Sequence, residues 1–359
     1  MYTHASLVIQ LMATRRFQTA TLPSFCVFLS LLTAATALPF AQANSRMSPA
    51  PLAPPQIKVD VPVVMLDVSV MSKDGLFIPG LKREHFRVLE DGVPQTITSF
   101  SQSQAPITAV LLTEFANSQF FYSFQTDSIN TTGVFTSSLK KEDWVALISY
   151  DIRPHILQDF TQDKRAIYGG LALLQPGMTM SAETNLFDAL YDTIDRLESI
   201  EGRKCIILVS SGRDTFSKKT LDQVLKKVQG SRDISIYAVG TGQSLREYAE
   251  THGLMKYLCP ITSFTCSQEF LQADNQLKSF ARMTGGRAYF PIFNGQLREI
   301  FAEIAQAIHN QYSISYSPTN RAQDGSFRKI IVELVDDTGK VVKYQVIVRD
   351  GYKAKQAVP

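Results

Sequence analysis

The side chains that could do chemistry in this sequence are scattered along it. Beyond the first 43 residues the histidines are His85, His155, His252 and His309, and none stands at metal-ligand spacing from another. Gly240-Thr241-Gly242-Gln243-Ser244 follows an apolar run in the manner of a dinucleotide-binding loop. The third glycine of that loop is absent, because Leu245 and Arg246 follow. There is no Gly-x-Ser-x-Gly elbow, no His-Glu-x-x-His pair and no Gly-Lys-Ser/Thr phosphate loop. Asp192, Asp195 and Glu198 fall along one helical pattern and read as its solvated face. With no nucleophile paired to a base, the chain is not expected to be an enzyme. Cys259 and Cys266 bracket a short loop, which in an oxidising compartment suggests a local disulfide. Cys205 lies in an apolar run and reads as a buried thiol. Beyond residue 43 the cysteine count is odd, which leaves the pairing open.

The chain begins as an exported protein does. Arg15 and Arg16 precede an apolar run from Leu22 to Leu38, then Ala41-Gln42-Ala43, and no acidic residue occurs before Asp60. This order predicts a signal peptide over 1–43, cut before Asn44, and a secreted or periplasmic protein without stable membrane insertion after cleavage. An uncleaved anchor is the alternative. Without the two arginines, 34 basic residues face 33 acidic ones. That balance supplies no basic stripe, so nucleic acid is not an expected partner.

Residues 44–56 are rich in proline and low in charge, an extended linker. Alternating apolar segments follow over 57–105, with turns at Lys73-Asp74-Gly75 and Glu90-Asp91-Gly92. A similar pattern returns over 311–355, where Asp336-Asp337-Thr338-Gly339 marks a hairpin. The two stretches are read as halves of one discontinuous β domain, two independent β extensions being the alternative. Between them, over 106–310, strands alternate with helices. The apolar runs are Ala109–Leu112, Trp144–Tyr150, Cys205–Val209, Ile234–Val239 and Ala288–Phe290, and helical patterns cover Leu186–Leu197, Leu221–Val228, Leu277–Met283 and Gln296–His309. The fold class expected is α/β, a doubly wound, mostly parallel sheet inserted in a small β-rich domain. Ile152–Phe160 follows Trp144–Tyr150 so closely that the two read as an antiparallel edge hairpin. Residues 243–275 are longer than a plain strand-to-helix connection needs and read as a surface elaboration.

Several of these phrases resemble, in order, the strands of von Willebrand factor type A domains. They are Asp143-Trp144-Val145-Ala146-Leu147-Ile148-Ser149-Tyr150, Ile206-Ile207-Leu208-Val209-Ser210-Ser211-Gly212 and Ile236-Tyr237-Ala238-Val239-Gly240. Leu277 to Phe290 is similar to the late helix-to-strand passage of that family. The flanks Leu81 to Gln95 and Arg349-Asp350-Gly351-Tyr352 are similar to A-domain-related secreted proteins abundant in acidobacteria.

The resemblance implies a metal-ion-dependent adhesion site at the carboxyl ends of the central strands. Its ligands are an Asp-x-Ser-x-Ser loop, a threonine from a second loop and an aspartate from a third. Here Glu114 stands for the aspartate, Ala116 for the first serine and Ser118 for the second. Thr184 matches the threonine, Ser211 stands where the last carboxylate belongs, and Asp214 follows three residues later. Mg²⁺ requires near-octahedral oxygen ligation. Glu114, Ser118, Thr184 and Asp214 are therefore the candidate ligands of a degenerate site, with Asp188 a further carboxylate within reach. Phe115, Asn117 and Ser211 form a candidate binding edge, joined by Phe120, Phe121, Tyr122 and Phe124. The function expected is binding or adhesion to an unknown protein or cell-surface ligand, without a cofactor. The rivals are an adhesion module that keeps Mg²⁺, a structural component of an envelope or secretion assembly, and a hydrolase whose site is not legible.

Overall fold

Alternation decides which side of each strand turns inward. In β1 (Val64–Met71) the side chains of Leu66, Val68 and Val70 are buried, while Val63 and Met65 stay exposed. β2 (Phe86–Glu90), β3 (Val93–Gln95) and β4 (Ile97–Ser103) follow. Asp91 and Gly92 both take positive φ, at 50° and 82°, which is what a two-residue turn between β2 and β3 requires. The structure is a computed structural model and describes residues 62–103, 105–115, 133–173, 183–231, 233–255 and 263–356. The stretches read as a signal peptide and a proline-rich linker, and the segment carrying Asn117 and Ser118, lie outside these residues.

From Ile107 the inner strands become apolar on both faces, while the edge strand Pro154–Thr161 does not. β5 (Ile107–Glu114), β6 (Trp144–Tyr150), β7 (Pro154–Thr161), β8 (Arg203–Ser210), β9 (Ile234–Gly240) and β10 (Ala288–Tyr289) form one sheet. Its order is β10-β9-β8-β5-β6-β7, and every pairing is parallel except that of the edge strand β7 with β6. The fold is therefore α/β with a doubly wound, mostly parallel sheet. Helices among the described residues include α1 (Lys164–Ala172), α2 (Leu186–Glu198), α3 (Leu221–Gly230), α4 (Gly242–Thr251), α5 (Ser263–Thr284) and α6 (Leu297–His309). Ala109 and Leu111 of β5 pack with Ile167, Phe301 and Ile304 on one face. Val110 and Leu112 pack with Leu190, Ile194 and Phe280 on the other. A strand buried on both sides has no polar face, hence the continuous apolar runs.

The remaining strands are β11 (Gln311–Tyr316), β12 (Phe327–Val335), β13 (Val341–Val342), β14 (Gln345–Ile347) and β15 (Gly351–Lys353). They build two further sheets with the first four strands. One has the order β14-β1-β11-β4; the other runs β13-β12-β2-β3, with β15 also on β12. Leu66, Val68, Phe86, Val88, Tyr312, Ile314 and Val332 fill the space between them. β1 also touches the α/β layer. Ser69 Oγ donates to the carbonyl of Ala307 at 2.9 Å, and Met71 and Ile347 share a core with Phe301. Asp143, buried just before β6, fastens the same junction. Its carboxylate is 2.7 Å from Nε2 of His309 and accepts the N–H groups of Ile107 and Lys140.

One expectation needs correction. Most of 243–275 is helical, in α4 and the first half of α5. Phe270, Ala273, Leu277 and Phe280 are buried at helical spacing, so polar neighbours and not an irregular path explain the low hydropathy there. The Cys259–Cys266 pairing falls outside the described residues, while Cys205 is a buried free thiol that burial pushes up to about 12. No helix among the described residues is long and apolar enough to cross a membrane.

Candidate functional site

The chain leaves β5 for β6 on one side and returns to β8 on the other, so the strand order reverses at β5. In open α/β sheets this reversal opens a crevice at the carboxyl ends of the strands. Three polar residues end those strands: Glu114 on β5, Tyr150 opposite it on β6, and Ser210 on β8.

They bond to one another. Glu114 Oε2 accepts from the N–H of Ser211 at 2.6 Å and from Ser210 Oγ at 3.0 Å. Ser211 Oγ lies 2.9 Å from both carboxylate oxygens. The Tyr150 hydroxyl donates to Ser210 Oγ at 2.7 Å, and the N–H of Gly212 donates to the same oxygen. Burial pushes the Glu114 carboxyl above its ordinary range, although these donors and the charge of Arg213 pull against it. Burial and then the Glu114 charge raise the Tyr150 phenol far above 10. Ser210 is fully buried and Ser211 nearly so. A serine bonded to a carboxylate but closed to substrate is a structural contact and not a nucleophile.

The second and third loops are stitched together in the same way. Thr184 Oγ1 donates to the carbonyl of Arg213 at 2.7 Å, and its own carbonyl accepts the N–H groups of Thr215 and Phe216. Asp214 accepts the N–H of Phe187 at 3.0 Å and the hydroxyl of Ser217, capping the first turn of α2 from outside that helix. Asp188 accepts the N–H groups of Lys218 and Lys219. Burial raises the Asp214 carboxyl against these bonds, and the charge of Asp188 adds to the rise.

Of the four candidate ligands, Ser118 lies outside the described residues, and so do Asn117, Phe120, Phe121, Tyr122 and Phe124. Both Glu114 oxygens accept protein hydrogen bonds, Thr184 Oγ1 donates to a carbonyl, and Asp214 Oδ1 accepts from Phe187 and Ser217. Among the described residues no three His, Cys, Asp or Glu side chains converge as an ion would need. As arranged, these residues do not fit Mg²⁺, which needs free oxygens in a near-octahedral array. Phe115 does not serve as a binding edge, because it is buried in the core beneath the sheet end. Ser211 likewise faces Glu114 and not solvent. Among the described residues, the apolar side chains exposed on loops at this end include Phe216 after β8, 55% exposed, with Ile152 after β6 and Phe293 after β10. Tyr150, Ser210 and Phe216 were not singled out from the sequence. Polar residues closing adjacent apolar strand runs are the signal that marks the first two.

No family model and no curated protein matches the chain. Solved structures similar to it include the vWF domain of the type V pili tip protein Mfa5 from Porphyromonas gingivalis, at 14% identity and TM-score 0.42, covering 57% of this chain and 96% of that one. A von Willebrand factor type A protein from Catenulispora acidiphila is similar at 10% identity and TM-score 0.42, over 80% of this chain and 73% of the other. The conserved hypothetical protein BatB from Bacteroides thetaiotaomicron is similar at 14% identity and TM-score 0.37, over 56% and 98%.

Proposed function

We propose that this chain is a binding or adhesion module that acts outside the cytoplasm, meeting a protein or cell-surface partner at the loops over the β5–β8 crevice without a metal ion. The observation that carries the metal-free reading is the Glu114 carboxylate, met by the N–H and hydroxyl of Ser211 and the hydroxyl of Ser210. Two carboxylates facing each other need a cation between them, whereas a carboxylate facing hydroxyls is neutralised in part by hydrogen bonds alone. The contact itself falls to Phe216, because a large exposed aromatic ring is the residue type that dominates binding energy at protein interfaces. Nothing among the described residues supports catalysis: the serines that meet Glu114 are buried, and the Ser217–Asp214 pair belongs to the cap of α2.

Two measurements on the full chain test this reading. Calorimetric titration with MgCl2 or MnCl2 should give flat heats for wild type and for Glu114→Ala alike. A binding heat that Glu114→Ala abolishes would establish the metal-dependent module instead. Pull-down from native envelope extract should capture a partner equally with and without EDTA, and capture should fall with Phe216→Ser. Capture of a membrane complex that ignores Phe216→Ser would favour a structural envelope component.

A further inference from the structure

A groove of about 890 Å³ lies between α5, β10, β12 and β14 and shares no lining residue with the β5–β8 crevice. Its walls are charged on one side of the balance. Lys278, Arg282, Arg287, Lys329 and Arg349 line it, with Asp350 as the single acidic residue. Arg282 is paired with Asp350 and Arg287 with Glu303, while Arg349 donates to the carbonyls of Ser231 and Gly351. Neither Lys278 nor Lys329 forms an ion pair within 4.0 Å among the described residues. Lys278 rests over the Phe290 ring, one helical turn from Asp274, and both lysines are exposed.

The same groove holds a gap in a sheet. β2 covers one side of β12 over Ile330–Leu334. On the other side β15 covers Phe327–Lys329 and β13 covers Leu334–Val335. β14, which lies between β13 and β15 in the chain, pairs with β1 in the other sheet. Among the described residues no strand pairs with Ile331–Glu333 on that side. The N–H of Ile330 points to that side, donating to the carbonyl of Asp350. Alternation then turns the main-chain groups of Val332 the same way and those of Ile331 and Glu333 toward β2. An unpaired strand segment is a template for another strand.

We propose that this groove takes an extended acidic polypeptide segment, its main chain pairing at Val332 and its carboxylates meeting Lys278 and Lys329. The open backbone favours a peptide over other polyanions, because only a peptide returns both a donor and an acceptor at strand spacing. The exposed side chain of Ile331, also in the lining, adds an apolar contact. This site does not depend on the crevice reading.

The test is fluorescence anisotropy of the full chain with a labelled peptide of alternating glutamate and valine. Binding should exceed that of an alternating lysine–valine peptide and weaken as salt rises. Lys278→Glu and Lys329→Glu should each weaken it about tenfold, and N-methylation of alternate amides in the peptide should weaken it too. Both lysines are exposed, so circular dichroism should show the variants folded, and Phe216→Ser should leave this affinity unchanged. Equal binding of the two peptides, indifference to both charge reversals, or charge-dependent binding of a sulfated polysaccharide but not the acidic peptide would overturn the proposal.

Discussion

Replacing Ser211 with aspartate would set a second carboxylate against Glu114, and the structure fixes what that costs when no cation is present. Ser211 Oγ lies 2.9 Å from each Glu114 oxygen. A carboxylate there brings two negative charges to about 4 Å, and at an effective dielectric of about 20 they repel by about 4 kcal/mol. One carboxyl can instead take up a proton. From a reference pKa of about 4.3, at about 1.36 kcal/mol per pH unit, that costs a little under 4 kcal/mol at pH 7 and about 1 kcal/mol at pH 5. The cheaper route sets the loss, so Ser211→Asp should destabilise the fold by about 3–4 kcal/mol near neutrality and by about 1 kcal/mol at pH 5. The sign follows from linkage. The folded pair holds a proton that the unfolded chain releases, so the variant loses stability as pH rises from the unfolded pKa through the raised folded one. Urea unfolding of both proteins at pH 5 and 7.5 measures this, and 10 mM MgCl2, ~10 mM being ample for a weak site, should recover part of the loss in the variant alone. An equal loss at the two pH values, or none at pH 7.5, would refute the contact between Ser211 and Glu114.

Three further outcomes follow from the packing. Asp143→Ala strands His309 and the N–H groups of Ile107 and Lys140, and should cost about 3–5 kcal/mol in urea unfolding. Burial pushes the Asp143 carboxyl up, but the His309 and backbone bonds outweigh it and hold the carboxyl below its ordinary value. Its contribution is therefore present above the unfolded pKa and lost as pH falls through the folded one, so wild type and variant should converge in acid. Gly286→Ala would drive a Cβ into the carbonyl of Ile236, which forces β9 and β10 apart; a drop of about 3 kcal/mol or more in unfolding free energy is expected. Asp214→Ala removes the outside cap of α2 and should lower stability by about 1 kcal/mol, leaving the calorimetric response to Mg²⁺ unchanged.

The α/β layer was legible where burial is two-sided. β5, β8 and β9 announce themselves as unbroken apolar runs, and the Asp91-Gly92 turn does so through its need for positive φ. α1 was not legible, because Gly169-Gly170 breaks the helical pattern. Packing explains the second glycine: a Cβ on Gly170 would come within 3.1 Å of the Leu147 side chain, so the helix trades propensity for close approach to β6. The first half of α5 was hidden by the polar residues around its buried positions Phe270 and Ala273.

The site was harder to read because a motif is scored one position at a time. Glutamate for aspartate at 114 and serine for a carboxylate at 211 look like two separate losses in the sequence. In the structure they are one contact across 97 positions, since the longer side chain reaches the hydroxyl that replaces the second charge. Tyr150 and Ser210 belong to the same contact and carry no motif at all; only the parallel register brings them beside Glu114. The physical content of the exchange is that the charge at the crevice floor is held by hydrogen bonds the chain makes with itself. An ion-bridged floor changes shape and charge when the ion leaves, whereas on the proposed reading this one keeps the same donors at any cation concentration. On the proposed reading, partner binding over the crevice therefore stays constant under chelation, and the loops carrying Thr184, Asp214 and Phe216 keep their mutual positions through bonds that no ion supplies.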